Sequence, residues 1–327
     1  MNRMSMAKIV NIATWWKNQG GAMRVEVAAL EPLLWKEGAL RVANVVKELK
    51  NMGYFVSMTS NGSALSKHAN SLSLAGLDLL RLSWHSNNPE CYRKMTGGGD
   101  LHVFMDGLNA ALECGINLSI NRVLMRGYLD DLKEQVDFID KFSIRLKLLD
   151  LYWTPESADE YDSYYISPEE SIASYLPKNY LLDCDSNIGK SSARQRKRFL
   201  TPNSGVVEFK LKNTAAKTGK HCDLCTKKSS CLEGFADYFR VFPDGTASLC
   251  YLRTDLALPI YNGDIVQINE FVDKFPEVTQ HLATLPLRLV LEGRCNYNCG
   301  FPSSAASWCL KQGRGFDFPD RSWVLKS

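Results

Sequence analysis

The feature that most limits what this chain can become is a repeated switch between helical and strand periods over its first 150 residues. Met6, Ile9, Val10, Ala13 and Trp16 share one helical face, and Val25 and Val27 then alternate as in a strand that ends before Glu31. Val42, Val45, Val46 and Leu49 predict a helix stopped at Gly53, and 54–59 reads as a strand closed by the Asn61-Gly62 turn. Further strands are expected at Leu79–Ser83, 116–123 and 144–150, with helices at 67–75, 101–114 and 131–141 between them. Strands separated by helices of this length imply right-handed crossovers and a parallel sheet. The expected class is α/β, a partial (β/α)6 TIM-like barrel with parallel strands, its first five strands within 1–150.

The pattern then lapses and returns. Residues 151–218 are aromatic and acidic at 161–170, basic at 194–198, and without clear periodicity, so a linker or excursion is expected. The basic run is read as a solvated charged face in preference to a phosphate holder. Asn187-Ile188-Gly189-Lys190-Ser191 looks like half of a phosphate loop, but Cys184 stands where its leading glycine would be. Near the end Leu287, Leu289 and Leu291 alternate with Arg288, Val290 and Glu292, a sixth strand that runs straight into Arg294-Cys295-Asn296-Tyr297-Asn298-Cys299-Gly300-Phe301. Residues 219–284 are expected to form an auxiliary metal-cluster lobe, and 285–327 the late strand with its cysteine loop.

Seven of the ten cysteines fall in two groups: Cys222, Cys225, Cys231 and Cys250, then Cys295, Cys299 and Cys309. Thiols this close bring several soft anionic ligands to one centre, and on spacing alone zinc and iron-sulfur are equally served. Cys91, Cys114 and Cys184 are isolated and read as ordinary packing. A formal net charge of +3 over 327 residues gives no reason to expect nucleic acid. With neither a secretory leader nor a membrane-length apolar run in view, a reducing, cytoplasmic setting is expected, where such cysteines favour metal over disulfide.

The late strand and its loop resemble the radical S-adenosylmethionine superfamily, whose signature is a strand followed by C-x3-C-x2-C. Cys295 and Cys299 match its first two cysteines and Phe301 its aromatic residue, while Pro302 occupies the third position and supplies no thiolate. Cys309 is the candidate replacement. The rest of the barrel is similar to the branch that includes the GTP 3',8-cyclase of molybdenum-cofactor biosynthesis. Ala29-Leu30-Glu31-Pro32 stands for Gly-Gly-Glu-Pro, Ser60-Asn61-Gly62 for Thr-Asn-Gly, Ser83-Trp84-His85-Ser86 for Ser-Leu-Asp-Ser, and Met125-Arg126-Gly127 for a similar turn. The resemblance covers most of 20–150 and 222–301.

It implies that Glu31, Ser60, Asn61, Ser83, Arg126 and Phe301 bind cofactor. It also implies a 4Fe-4S cluster at Cys295 and Cys299 and an auxiliary one at Cys222, Cys225, Cys231 and Cys250, since Phe239 to Gly245 resembles the hairpin before the last auxiliary cysteine. Arg240 and Arg288 match arginines that contact substrate, and Asp150 would orient substrate or cofactor. Trp35, Ser119 and Tyr238 replace cations that the branch uses for its nucleotide. The implied reaction cleaves S-adenosylmethionine to a 5'-deoxyadenosyl radical that abstracts hydrogen from a small-molecule or peptide substrate, with electrons from a flavodoxin or ferredoxin. The alternatives are a non-catalytic barrel relative serving as a metal-bearing binding or scaffold protein, and a zinc-stabilised binding protein.

In the family the cysteine-loop strand comes first, whereas here it comes last. A circular permutation accounts for this, and a fragment spanning the end of one barrel and the start of another is the competing account. Docking the late strand on 23–28 would bury three leucines for roughly 5–9 kcal/mol. It would also cover an otherwise open sheet edge.

Overall fold

A computed structural model describes residues 4–28, 31–151, 158–184, 196–211, 220–226, 228, 238–250, 254–262, 265–266, 269–274 and 288–292. Helix α1 (Met6–Asn18) begins where the Ser5 hydroxyl accepts from the Lys8 amide, and it buries Ile9, Ala13 and Trp16 of the expected face together with Ile12, while Met6 and Val10 are half-buried. Strand β1 (Arg24–Ala28) follows, then α2 (Val42–Asn51), β2 (Phe55–Ser60), α3 (Leu65–Leu74) and β3 (Leu79–Ser83). Next come α4 (Pro89–Thr96), α5 (Leu101–Glu113), β4 (Leu118–Val123), α6 (Leu132–Lys141) and β5 (Arg145–Leu149). Of these, α4 escapes the sequence reading: its buried faces are only Tyr92 and Met95, and it is defined by caps, with Asn88 accepting at one end and left-handed Gly97 at the other.

The stretch 151–218 is no passive spacer. It carries α7 (Ala158–Tyr164), α8 (Pro168–Tyr175), β6 (Leu182–Cys184), β7 (Arg196–Leu200) and β8 (Val206–Lys210). Strand β8 pairs parallel with β5, and β7 and β6 extend the sheet antiparallel beyond it. On the other side lie β9 (Tyr238–Val241), β10 (Thr246–Ser248) and β11 (Leu258–Pro259), and last in sequence β12 (Arg288–Glu292). These twelve strands join in one sheet of order β11-β10-β9-β12-β1-β2-β3-β4-β5-β8-β7-β6, and two short two-stranded ribbons, 36–37 with 40–41 and 261–262 with 265–266, lie apart from it. From β9 to β8 every pairing is parallel. The fold is therefore an α/β partial barrel, and the expected six strands lie side by side within it.

The late strand docks where the sequence predicts. β12 inserts between β1 and β9, with Val25 opposite Leu289 and Ala28 opposite Glu292 on one side, and Tyr238 opposite Arg288 on the other. Strand alternation sets two faces. Val25, Val27, Val56, Met58, Leu80, Leu82, Leu146 and Leu148 are buried in the main hydrophobic cluster with the helices. Glu26, Ser57, Thr59, Arg81, Ser119, Asn121, Lys147 and Glu208 take the alternate positions and give the concave face a polar lining. Cys114 packs against the apolar cluster, as expected for an isolated cysteine. The half-loop at 187–191 lies outside the described residues.

Candidate active site at the carboxyl ends of the strands

Parallel strands put all their carboxyl ends on one side, and the loops leaving them gather there. Glu31, just beyond β1, is buried at 5% exposure. Its Oε1 accepts from the Leu33 amide at 3.0 Å and the Ser60 hydroxyl at 2.8 Å, and its Oε2 accepts from the Asn61 amide at 2.7 Å. Burial raises its pKa, and these three donors oppose the rise. Among the described residues no cation stands against this carboxylate. The turn that presents Ser60 and Asn61 depends on Gly62 at φ +78°, where a Cβ would meet Phe104 at 2.8 Å.

Beyond β3, the buried Trp84 ring packs between Phe104 and Phe138. His85 follows it, accepting the Val123 amide on Nδ1 at 3.2 Å. That bond assigns the proton of the neutral ring to Nε2, and burial followed by the nearby Arg122 charge pulls the imidazole down to about 4. Asp131 ties these loops together, accepting from the Ser86 hydroxyl, the Asn87 amide and the fully buried Arg122 guanidinium. Burial pushes the Asp131 carboxyl up, but Arg122, Ser86 and Asn87 outweigh it and hold it below the usual range.

The structure therefore brings Glu31, Ser60 and Asn61 into direct contact, and Ser83 closes the next strand. Asp150 is buried immediately after β5. Arg126 is half exposed, and its guanidinium donates to Glu170 at 3.0 Å and the Tyr165 carbonyl at 3.2 Å, bracing the α7–α8 segment. Arg240 is buried on β9, two register positions from the Tyr238–Arg288 pair. Cys222 and Cys225 share a turn in which the Cys225 amide donates to the Cys222 carbonyl, and Cys222 and Cys250 pack against the main core. Among the described residues no three His, Cys, Asp or Glu side chains are gathered to hold a metal. Cys231, Cys295, Cys299, Cys309, Phe301 and Pro302 lie outside the described residues.

One expectation is overturned. The basic run at 194–198 was expected to be a solvated face, yet Arg196 and Arg198 reach Glu208 at 3.4 Å and 3.1 Å and are only 24% and 21% exposed. They do so because β7 pairs with β8 and turns alternate residues inward. Sequence reasoning also passes over Glu26, Arg81, Lys147 and Glu208. Their signal was present in the alternation Arg145-Leu146-Lys147-Leu148 and Val207-Glu208-Phe209-Lys210.

A parallel partial barrel whose polar residues line the concave face and whose loops gather at the strand carboxyl ends defines an enzyme domain, and residues 1–139 match the radical SAM superfamily. The match spans α1 to β4 and less than half of the chain. The chain is 27% identical over 237 residues to a probable GTP 3',8-cyclase of Thermococcus kodakarensis, covering 72% of this chain and 71% of that one. It is 29% identical over 234 residues to a GTP 3',8-cyclase of Petrotoga mobilis, covering 70% and 67%. Among solved structures, Streptococcus suis SuiB bound to S-adenosylmethionine aligns with a TM-score of 0.40 at 15% identity, over 47% of this chain and 35% of that one. No helix of the described residues is long and apolar enough to cross a membrane.

Proposed function

We propose that this protein is a radical S-adenosylmethionine enzyme that abstracts hydrogen from a small-molecule or peptide substrate held over the concave face. The observation that carries this reading is the buried Glu31 carboxylate, fixed by Ser60, Asn61 and Leu33 and lacking a protein cation among the described residues. An ammonium such as that of the methionine moiety satisfies it. Ala28 is in register with Glu292, so the last described residues of β1 and β12 lie side by side at the strand carboxyl ends.

Bound S-adenosylmethionine and a reduced 4Fe-4S cluster together supply a 5'-deoxyadenosyl radical. The chain's own residues do the positioning. Glu31 would hold the methionine end, with Ser60 and Asn61 fixing its rotamer, and Cys295 and Cys299 would hold the cluster. Ser83 would stand at the cofactor's flank, while Arg240, Arg288 and Asp150 would orient substrate. The Arg126–Glu170 contact gives Arg126 a bracing task as well.

Cys222, Cys225, Cys231 and Cys250 are proposed as ligands of an auxiliary 4Fe-4S cluster in a lobe spanning 219–284, with 285–327 as the permuted first barrel strand and its loop. A cytoplasmic setting with a flavodoxin-like or ferredoxin-like donor accompanies this reading. The absence of a thiol at Pro302 favours a second reading, a non-catalytic barrel relative that retains the metal lobe. Anaerobic incubation with dithionite and S-adenosylmethionine separates them. Formation of 5'-deoxyadenosine, lost in the Cys295→Ala/Cys299→Ala double variant, supports the enzyme, and no formation by the reconstituted wild type supports the second reading.

A further inference from the structure

The concave face carries a charged group that the cofactor reading does not use. Glu208 on β8 is 3% exposed and draws Arg198 to 3.1 Å, Arg196 to 3.4 Å and Arg145 to 3.8 Å. In register, Ser83, Asn121, Lys147, Glu208 and Arg198 form one row across β3, β4, β5, β8 and β7, with Lys147 beside Glu208. One carboxylate thus faces three guanidinium groups and a lysine, an excess of positive charge inside the barrel. Among the described residues Lys147 makes no hydrogen bond or ion pair, and the buried Nε of Arg145 is too far from Glu208 to donate to it. Buried polar groups without partners are costly, so their gathering on one lining calls for a ligand.

We propose that this face of β5, β8 and β7 is a substrate subsite that takes one anionic group, a carboxylate or a phosphate, against Lys147, Arg145 and Arg196, with Glu208 as the fixed counter-charge. It deepens the proposed function, since it assigns the substrate's charge, but it rests on the lining residues and not on the cofactor. Around Lys147 stand Arg81 and Ser83 of β3, Ser119 and Asn121 of β4, Arg145 of its own strand, Glu208 and Lys210 of β8, and Arg196 and Arg198 of β7. Burial, then Lys210 and Arg196, pull its amine down to about 7 against the opposing pull of Glu208, and Arg81 adds to the lowering. Near neutral pH the amine is therefore partly neutral, and an arriving anion favours the ammonium, so binding takes up a proton. Arg81 itself is held by Glu26 at 3.2 Å.

Calorimetric titration of the full chain at pH 7.0 with inorganic phosphate and, separately, malonate tests this, each in two buffers of different ionisation heat. Saturable binding with proton uptake is expected, and preference for phosphate or malonate tells a phosphorylated from a carboxylic substrate. Lys147→Met should weaken binding about tenfold or more and abolish the proton uptake. Glu208→Gln should tighten binding, which keeps the test valid if the lysine variant does not fold. No saturable binding of either anion, unchanged binding in Lys147→Met, or no gain in Glu208→Gln would overturn the proposal. Neither titration needs iron or S-adenosylmethionine, so failed cofactor cleavage with intact anion binding would remove the radical-enzyme reading alone.

Discussion

At the scale of single residues, the site depends on how burial is compensated. Glu31→Gln keeps the side chain's shape and loses an acceptor facing the Asn61 amide, but it also removes the cost of burying an ionised carboxylate, so the apo protein's stability at pH 8 should change by no more than about 1 kcal/mol. Its affinity for S-adenosylmethionine should fall at least about tenfold, since a neutral amide no longer answers the ammonium; equilibrium dialysis and urea melts measure both. His85, held near a pKa of about 4, should stay neutral from pH 5.5 upward, and its ring nitrogen NMR shifts should not titrate there. Lys147 sets the opposite kind of test. Its folded pKa of about 7 lies below the unfolded value, so the unfolded chain binds more protons between pH 7 and about 10.4, and this group makes stability rise with pH across that window. Lys147→Met should flatten that part of the profile and raise the melting temperature by a few degrees at pH 7.5.

At the scale of elements, the loops after β3 and β4 are fastened by one ion pair. Asp131→Ala would leave the Arg122 guanidinium buried without its counter-charge and release Ser86 and Asn87, a loss of about 3–5 kcal/mol in a denaturant melt at pH 7. Because the Asp131 carboxyl is held below its usual range, its contribution is present above the unfolded pKa and fades as pH falls through the folded one. The elements themselves were largely legible. Period-2 alternation located β1 to β5 because each of these strands buries one face in the main core, and the same alternation located β12. Their ends were less so: the strand expected at 116–123 begins at Leu118, since Ile116 belongs to the turn after Gly115. What sequence could not give was the fate of 151–218. β7 and β8 are amphipathic in the opposite sense to a surface hairpin, with charges turned inward around Glu208, and a charged run by itself does not say which way it faces.

At the scale of the molecule, chain order and spatial order differ. β12 is the last of the described strands in sequence yet lies between β1 and β9, so the sheet is continuous only when the two ends of the described chain meet. A chain ending at residue 284 should leave β1 and β9 as exposed edges and show aggregation and a broadened thermal transition. The motifs at Glu31, Ser60-Asn61 and Ser83 were readable because strand ends in a parallel sheet must share a face, whatever the order of the strands. The charged row through Lys147 was not, because it is assembled from five strands and no short motif spans it.

The central claim is that a cluster sits on the permuted loop. Iron, sulfide and zinc content of anaerobically reconstituted wild type and Cys295→Ala/Cys299→Ala protein tests it most directly. The account predicts about eight irons and as much sulfide per wild-type chain, falling to about four in the double variant. About four irons unchanged by the substitutions, or zinc without sulfide, would contradict it.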